Sequence, residues 1–363
     1  MMPVTSWGSS SAVTSTGNVF VYEALCGGSG IANGELLSGS LLREGAAMLQ
    51  ALLDDFCLLP EWQVGTMLDR RPGVKPRLDT EQLGRCCEVL TQQEHDITFE
   101  QLVRQADAVL VVAPETDQLL LRLTRQVERA DSMLLGPSSE WVAMAGDKLR
   151  LNHHLAAHGV SVPTCLAPPF PPGMDAELEP PLVRKPRFGA GADRLQRIVD
   201  RDSWFPADGS NQIVESYHAG LAVSVSALLQ EGTFQLLPAG LQHVDLEKAC
   251  YQGGAIPLAA HLQPRAASLA SRSLRAMPPS RGFIGIDMVL GENPSGEDDV
   301  VIEINPRITT SYVGLRAATG VNLAPALLDC HGWQELPEVK QHIEFTASGE
   351  IMPVQREPLQ GRC

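Results

Sequence analysis

The sequence predicts an α/β protein in which a doubly wound, mostly parallel sheet is followed by a region of different grain. Two observations lead there. From Val19 to about Pro137, short apolar runs alternate with amphipathic helical periods, the pattern of a parallel sheet with helices on both faces. Beyond that point strand-like runs dominate, and two helices close the chain. A length of 363 residues provides for two or three domains, each with its own core.

The elements follow in order. Val19–Tyr22 is a buried strand. In SLLREGAAMLQALLDDF, Leu41, Leu42, Gly45, Met48, Leu49, Leu52, Leu53 and Phe56 fall at helical spacing behind Ser40 as N-cap. WQVGTMLD is a second strand ending at Asp69, TFEQLVRQA a short helix and AVLVVAP a third strand. TDQLLLRLTRQVERA is a third helix and SMLLGPS a fourth strand. DKLRLNHHLAAHGVSVP then reads as a helix with Asp147 near its start and Gly159 and Pro163 past its end. The Pro-rich LAPPFPPGMDAELEPP is an extended connector. Strands are expected at PLVRKP, NQIVESYH, LAVSVSALLQ, TFQLLPAGLQHV, GFIGIDMVL and DVVIEINPR. Helices are expected around RAASLASRSLRAM, SYVGLRAATG and NLAPALLD. The resulting division is a disordered segment over 1–17, an α/β domain over 18–137, a second domain over 138–330 and a C-terminal tail over 331–363.

Composition narrows the function. Net charge is −15, which gives no broad electrostatic footprint for nucleic acid or anionic lipid. No segment approaches the roughly 18 apolar residues of a membrane span. The Ser/Thr/Gly-rich start has neither a basic n-region nor an apolar core, so it is not a signal peptide. Eight scattered cysteines without C-x-x-C spacing read as reduced thiols of a cytoplasmic protein. Cys86 and Cys87 are expected to be buried or helix-surface thiols. Small anionic ligands would need local positive sites, which gives weight to Lys and Arg beside glycines.

One such place is RKPRFGAGADR. Lys185 ends a strand and Gly189, Ala190, Gly191 and Ala192 follow. Glycines let backbone N–H groups converge on phosphate, and a nearby lysine adds a point charge. A glycine-rich hairpin with incidental basic residues remains the alternative, since no G-K-[ST] follows. A second place is GIDMVL with VIEINPR. Glu303 and Asn305 share one face of a strand, and Asp287 joins them if its strand pairs with theirs. Two carboxylates and an amide oxygen suit Mg²⁺, with Mn²⁺ as a substitute. The alternative is a pair of carboxylates satisfied by Arg or backbone N–H. Arg307 follows, placed to steady developing negative charge. Thr309, Thr310 and Ser311 are donors or caps for the next helix. Lys148 stands at a helix start, against the macrodipole, which hints at a function.

These pieces in this order resemble the ATP-grasp family: a Lys at a helix start, a Lys with a glycine loop, the VES hinge strand, then Asp and E-x-N. The match covers roughly Trp141 to Leu328. VYEALCGGSG, SLLREGAAML and EINPRITTSY more narrowly resemble its tyramine–glutamate ligase branch, which serves methanofuran synthesis. The resemblance implies ATP held between two α+β subdomains behind a pre-ATP-grasp, Rossmann-like domain. It puts Lys148 and Lys185 on phosphates, with Gly189 to Ala192 closing over them. Glu215, Ser216, Tyr217 and His218 fall at the adenine hinge, and Asp287, Glu303 and Asn305 hold Mg²⁺. The catalytic roles fall to Arg307 and Lys185. The carboxylate that often contacts ribose is missing, with Leu221 and Ala222 in its vicinity. The implied activity is a carboxylate–amine ligase acting through an acyl phosphate, on small molecules; many such proteins are homodimers. The alternatives are a phosphotransferase on the same scaffold and a non-catalytic nucleotide-binding module. A nicotinamide oxidoreductase would need a dinucleotide loop, which GGSG is not. That turn, with Glu23 and Asp69, instead lies at the carboxyl edge of the first sheet, where open α/β sheets bind ligands. His153, His154 and His158 read as surface residues.

Overall fold

The computed structural model describes residues 17–29, 39–71, 78–168, 178–189, 195–199, 211–245, 250–328 and 337–354. The first sheet grows from strands too apolar to face water on either side. β1 (Gly17–Glu23) leads into a single turn, α1 (Ala24–Gly27), and α2 (Gly39–Cys57) packs back along the sheet. β2 (Trp62–Asp69), β3 (Arg85–Val89), α3 (Gln92–Gln105), β4 (Ala108–Val112), α4 (Leu119–Glu128) and β5 (Met133–Leu134) complete it. The five strands run parallel in the order β3-β2-β1-β4-β5, the doubly wound arrangement expected. β1 and β4 are buried nearly throughout, as central strands of a two-faced parallel sheet must be.

Two readings of this half need correction. β3 is a strand the sequence reading missed, because RCCEV is short and interrupted by charge. Cys86 and Cys87 therefore sit on an edge strand rather than a helix or core, and Cys86 is exposed. The helix expected at TFEQLVRQA begins earlier, where the Thr91 hydroxyl accepts from the Glu94 N–H at 3.1 Å as an N-cap.

α5 (Ser139–Ala145) and α6 (Lys148–Ala157) carry the chain onward. β6 (Cys165–Leu166), β7 (Leu182–Pro186), β8 (Gln196–Ile198) and β9 (Gln212–Ser216) then form a small antiparallel sheet, ordered β6-β9-β7-β8. A larger antiparallel sheet follows. Its strands are β10 (Leu221–Gln230), β11 (Thr233–Leu236), β12 (Gly240–Asp245), β13 (Cys250–Ile256), β14 (Arg281–Leu290) and β15 (Val300–Asn305). α7 (Gln263–Ala276) packs on it, while α8 (Ser311–Thr319) and α9 (Ala324–Leu328) return to the first domain. TFQLLPAGLQHV is two strands rather than one, broken at Leu237–Ala239 around Pro238.

The expected C-terminal tail is another correction. β16 (Ile343–Thr346) and β17 (Ile351–Pro353) extend the large sheet beyond β13. Such strands of three or four residues leave little periodicity to read. β13 itself was missed because two glycines weaken its strand signal. Gly253 explains one of them: its φ is +130°, and a Cβ there would lie 1.9 Å from the Phe345 carbonyl oxygen of β16. Of the segment expected to be disordered (1–17), Gly17 opens β1 and residues 1–16 lie outside the described residues, as do the far C-terminus (355–363) and most of the Pro-rich connector. No described helix is long and apolar enough to cross a membrane.

The cores join these parts unequally. One cluster runs from Val21, Leu49 and Phe56 in the first domain to Ile308, Tyr312 and Phe345 in the last. A second holds α5 to α7 against the large sheet through Trp141, Leu155, Leu269 and Ile286. The small sheet has its own core of Leu166, Leu178, Leu182, Ile198 and Val214. Asp55 strengthens the first junction. Its buried carboxylate accepts from the Tyr312 hydroxyl at 2.7 Å and from Arg316 Nε at 2.6 Å. Gly253→Val is expected to lower the unfolding free energy by ~3 kcal/mol, because backbone rather than a movable side chain meets the new atoms. Urea denaturation would measure it.

Candidate functional site

The antiparallel pairing of β14 and β15 puts Asp287 directly opposite Glu303 and Gly285 opposite Asn305. The strand pairing that the sequence reading required is therefore present. Asn305 Nδ2 donates to Asp287 Oδ2 at 3.0 Å, and Gln242 Nε2 from β12 donates to Asp287 Oδ1 at 2.9 Å. Gln242 escaped the sequence reading, since an amide alternating along a strand carries no signal of its own. The Asn305 oxygen faces Arg307 Nη2 at 3.4 Å, so this amide would turn over to offer it to a cation.

One lysine contacts this pair of carboxylates, and a second acts on Glu303 electrostatically. Lys148, first residue of α6, places Nζ 3.0 Å from Glu303 Oε2 and donates to the Gly189 carbonyl at 2.6 Å. Its unusual position at a helix N-terminus is thus offset by an acidic partner. Asp147, beside it, caps the helix and holds Arg187 through both oxygens. Lys185, buried on β7, pairs with Glu215 on β9 at 2.7 Å. Adjacent strands place them: Val183 lies opposite Glu215, so Lys185 is two residues along the same face.

Arg307 lies where the large sheet meets the first domain. Its Nε and Nη2 donate to Glu115 Oε1 and Oε2 at 2.9 and 3.2 Å, and Nη1 donates to the Ile308 carbonyl at 3.2 Å. Both partners are buried. Glu115 was missed, although it follows an apolar strand at the sheet's carboxyl edge, the same placement that singled out Glu23 and Asp69.

Electrostatics follow from this packing. Burial raises the Asp287 carboxyl to about 7, with the like charge of Glu303 adding to it. Burial also pushes Glu303 upward, but Lys148 and Lys185 outweigh it and hold that carboxyl below its usual range. Glu215 is raised by burial despite Lys185. Lys185 goes up overall, because Glu215 and Glu303 overcome the opposing effect of burial. The result is two close carboxylates of which only one is comfortably ionised, a donor set that a divalent cation would satisfy.

The remaining expected residues are placed as follows. Gly189 is near Thr116, whose hydroxyl would lie 3.6 Å from a Cβ added there. Ala190, Gly191 and Ala192 lie outside the described residues. At the hinge, the Ser216 and Tyr217 N–H groups donate to the carbonyls of Thr164 and Pro181 at 2.9 and 3.1 Å. The Glu215 carboxylate faces Lys185. Ser216 Oγ contacts His218 Nε2 at 3.1 Å, and Arg197 lies over the Tyr217 ring at 4.5 Å. Burial lowers the pKa of His218. Leu221 is half exposed at the start of β10. Thr310 stands at the α8 N-cap without a capping hydrogen bond, and the Thr309 hydroxyl is buried without a partner. The capping role for these hydroxyls is therefore absent.

The GGSG turn is held by a separate network. Glu23 accepts from the Leu25 and Cys26 N–H groups at 3.2 and 2.7 Å, capping α1. Asp69 holds Arg71 Nε at 2.7 Å, and Arg71 Nη2 donates to the Gly28 carbonyl at 2.8 Å. His95 gathers Tyr22 OH at 2.8 Å and Ser29 Oγ at 3.2 Å on Nε2, with Asp96 at 2.8 Å from Nδ1. Glu23 and Asp69, placed at the ligand-binding edge of the first sheet, thus have structural partners. His154 and His158 contact each other and backbone carbonyls, and no metal-binding group of three His, Cys, Asp or Glu occurs among the described residues.

Comparison with known proteins agrees with this architecture. Residues 62–142 match the pre ATP-grasp 3 domain and residues 145–311 the ATP-grasp domain. Over 308 residues the chain is 24% identical to a tyramine–L-glutamate ligase of Methanocaldococcus fervens, covering 84% of this chain and 93% of that one. The corresponding protein of Methanocaldococcus jannaschii is 25% identical, with 85% and 89% covered. The crystal structure of an ATP-grasp superfamily protein from Archaeoglobus fulgidus superposes with a TM-score of 0.69 at 24% identity, covering 91% and 92% of the two chains.

The raised Asp287 yields a pH prediction. A folded pKa of about 7 against an ordinary 3.8 means the stabilising contribution is complete at low pH and is lost as pH rises toward and through 7. With metal removed by EDTA, Asp287→Asn should therefore unfold at a higher temperature than wild type at pH 8. The difference should vanish near pH 4, read by differential scanning calorimetry across pH.

Proposed function

The chain belongs to the ATP-grasp superfamily, and on that premise we propose that it is an ATP- and Mg²⁺-dependent carboxylate–amine ligase. The observation that carries this reading is the paired Asp287 and Glu303, with Lys148 in contact with Glu303 and with Lys185 and Arg307 near enough to act on it electrostatically. It is a charge arrangement for holding a polyphosphate–metal complex beside a second anion.

When bound, ATP supplies the phosphoryl group and Mg²⁺ screens its charge. Asp287, Glu303 and Asn305 would hold the metal, Asn305 after its amide turns. Lys148 and Lys185 exchange their carboxylate partners for phosphate oxygens. Because Lys148 also donates to Gly189, phosphate binding is tied to the position of the glycine loop. The 215–218 hinge lines the adenine. Arg307 steadies negative charge on the substrate carboxylate as it is activated to an acyl phosphate. The amine nitrogen then bonds to the carbonyl carbon, the C–O bond to phosphate breaks, and the nitrogen gives up a proton. Positioning and charge neutralisation suffice, so no protein nucleophile is needed.

The substrate pair we propose is the γ-carboxylate of glutamate and tyramine or a similar aromatic amine, in a one-carbon cofactor pathway. The two methanogen ligases support it, matching along most of their length. The enzyme would work in the cytoplasm on small molecules.

The test is release of ADP and phosphate from Mg-ATP, with glutamate alone and with tyramine, and products read by mass. A γ-glutamyl amide formed only with both substrates is the expected result. A stable phospho-product would instead favour a phosphotransferase, and nucleotide binding without turnover on a broad acid–amine panel a non-catalytic module. Glu303→Ala should lower turnover by about 1,000-fold, the scale of removing one stabilising group from a preorganised site. Full activity in that variant would sink the metal assignment.

A further inference from the structure

We infer that Glu115, contributed by the first domain, is a positioning residue that aims Arg307. The inference rests on Arg307 having the role proposed above. Glu115 follows β4 at the carboxyl edge of the parallel sheet, far in sequence from its partner, yet both its oxygens engage one guanidinium. A guanidinium has five N–H donors in one plane. Four of them have partners here: Nε and Nη2 to Glu115, Nη2 again to Asn305 Oδ1, and Nη1 to the Ile308 carbonyl; the Asn305 contact is the one released if that amide turns to a cation, and the Glu115 and Ile308 contacts remain. One Nη1 hydrogen is left without a partner among the described residues. The side chain cannot rotate without breaking a bidentate contact, so that last donor has a fixed direction.

The turn that carries Glu115 is itself constrained. Asp117 and Gln118, two successive non-glycine residues, have φ of +50° and +57°. Such backbone persists where the surroundings over-determine it. Here an Arg122 guanidinium donates to the Asp117 carbonyl, and Gly146 leaves room where a Cβ would approach Glu115 Cγ to 3.4 Å. Thr116 of the same turn lies against Gly189. One short turn of the first domain therefore touches both the arginine and the start of the glycine loop.

The carboxylate has a second effect. Arg307 also acts electrostatically on Asp287 and Glu303. Without Glu115 the guanidinium is free to turn toward those carboxylates and compete with a cation for them.

A double-mutant cycle tests this, using Glu115→Gln, Arg307→Ala and the pair, with calorimetric binding of ATP and spin-resonance titration of Mn²⁺ beside turnover. Glu115→Gln keeps the side-chain volume, so the fold and ATP binding should be retained, with a lower unfolding temperature because the buried guanidinium loses its counter-charge. Turnover should fall about 100-fold with little change in KM, the scale of misplacing one group by an ångström. In the Arg307→Ala background the same change should alter turnover by less than about 2-fold. Mn²⁺ affinity should fall in Glu115→Gln and be regained in the double variant. Additive effects, or unchanged turnover and Mn²⁺ affinity in Glu115→Gln, would overturn the inference. If no substrate pair gives turnover, the Mn²⁺ comparison still decides it, separating its failure from that of the ligase reading. If Glu115→Gln does not fold, Glu115→Asp serves: it must retain Mn²⁺ affinity while losing turnover, and wild-type turnover there overturns the assignment.

Discussion

The constraint on which the site depends is an imbalance of buried charge. Lys148, Lys185 and Arg307 face Glu303, Glu215 and Glu115, one carboxylate to each cation. Asp287 is the fourth carboxylate, and its described partners are two amides and the Ser224 hydroxyl rather than a cation. Burying ions is costly unless each is paired and hydrogen-bonded. The three pairs meet that condition and Asp287 does not. The fold therefore keeps a demand for positive charge at one point of the cleft. Hydrophobic burial supplies the stability that tolerates this, through a core shared by the first domain and the large sheet.

The three pairs also divide the labour of the fold. Lys185 and Glu215 both belong to the small sheet, so their contact orders one leaf of the cleft. Lys148 and Glu303 join α6 to the large sheet. Arg307 and Glu115 join the large sheet to the first domain. Each unit thus places a charge at the site, and none of the three makes it alone.

Much of this was legible in the sequence. Apolar runs long enough to fill a central strand identified β1, β2 and β4, and helical spacing from Leu41 to Phe56 identified α2. Glu303 and Asn305 could be put on one face because strand periodicity is strict. The short strands β3, β16 and β17 were not legible, since runs of three to five residues carry little pattern. β13 was hidden by Gly253 and Gly254, the first set by a strand some ninety positions away and the second by the Leu241 carbonyl of β12. The pairing of Glu115 with Arg307 was hidden for the same reason: tertiary contacts between distant segments leave no local periodicity. Glu23 and Asp69 could not be decided from sequence, because a carboxylate at a sheet edge looks alike whether it awaits a ligand or caps a turn.

The small sheet's separate core has a kinetic meaning. Asp55 ties α2 to Tyr312 and Arg316, so the first domain and the large sheet form a continuous body. Among the described residues, the small sheet is held within itself by a few large apolar side chains. Opening by subglobal fluctuation follows the weakest shared packing. Amide protons of β7 and β9 should thus exchange as a group faster than those of β10 and β14, which makes the small sheet the part of the fold that opens first.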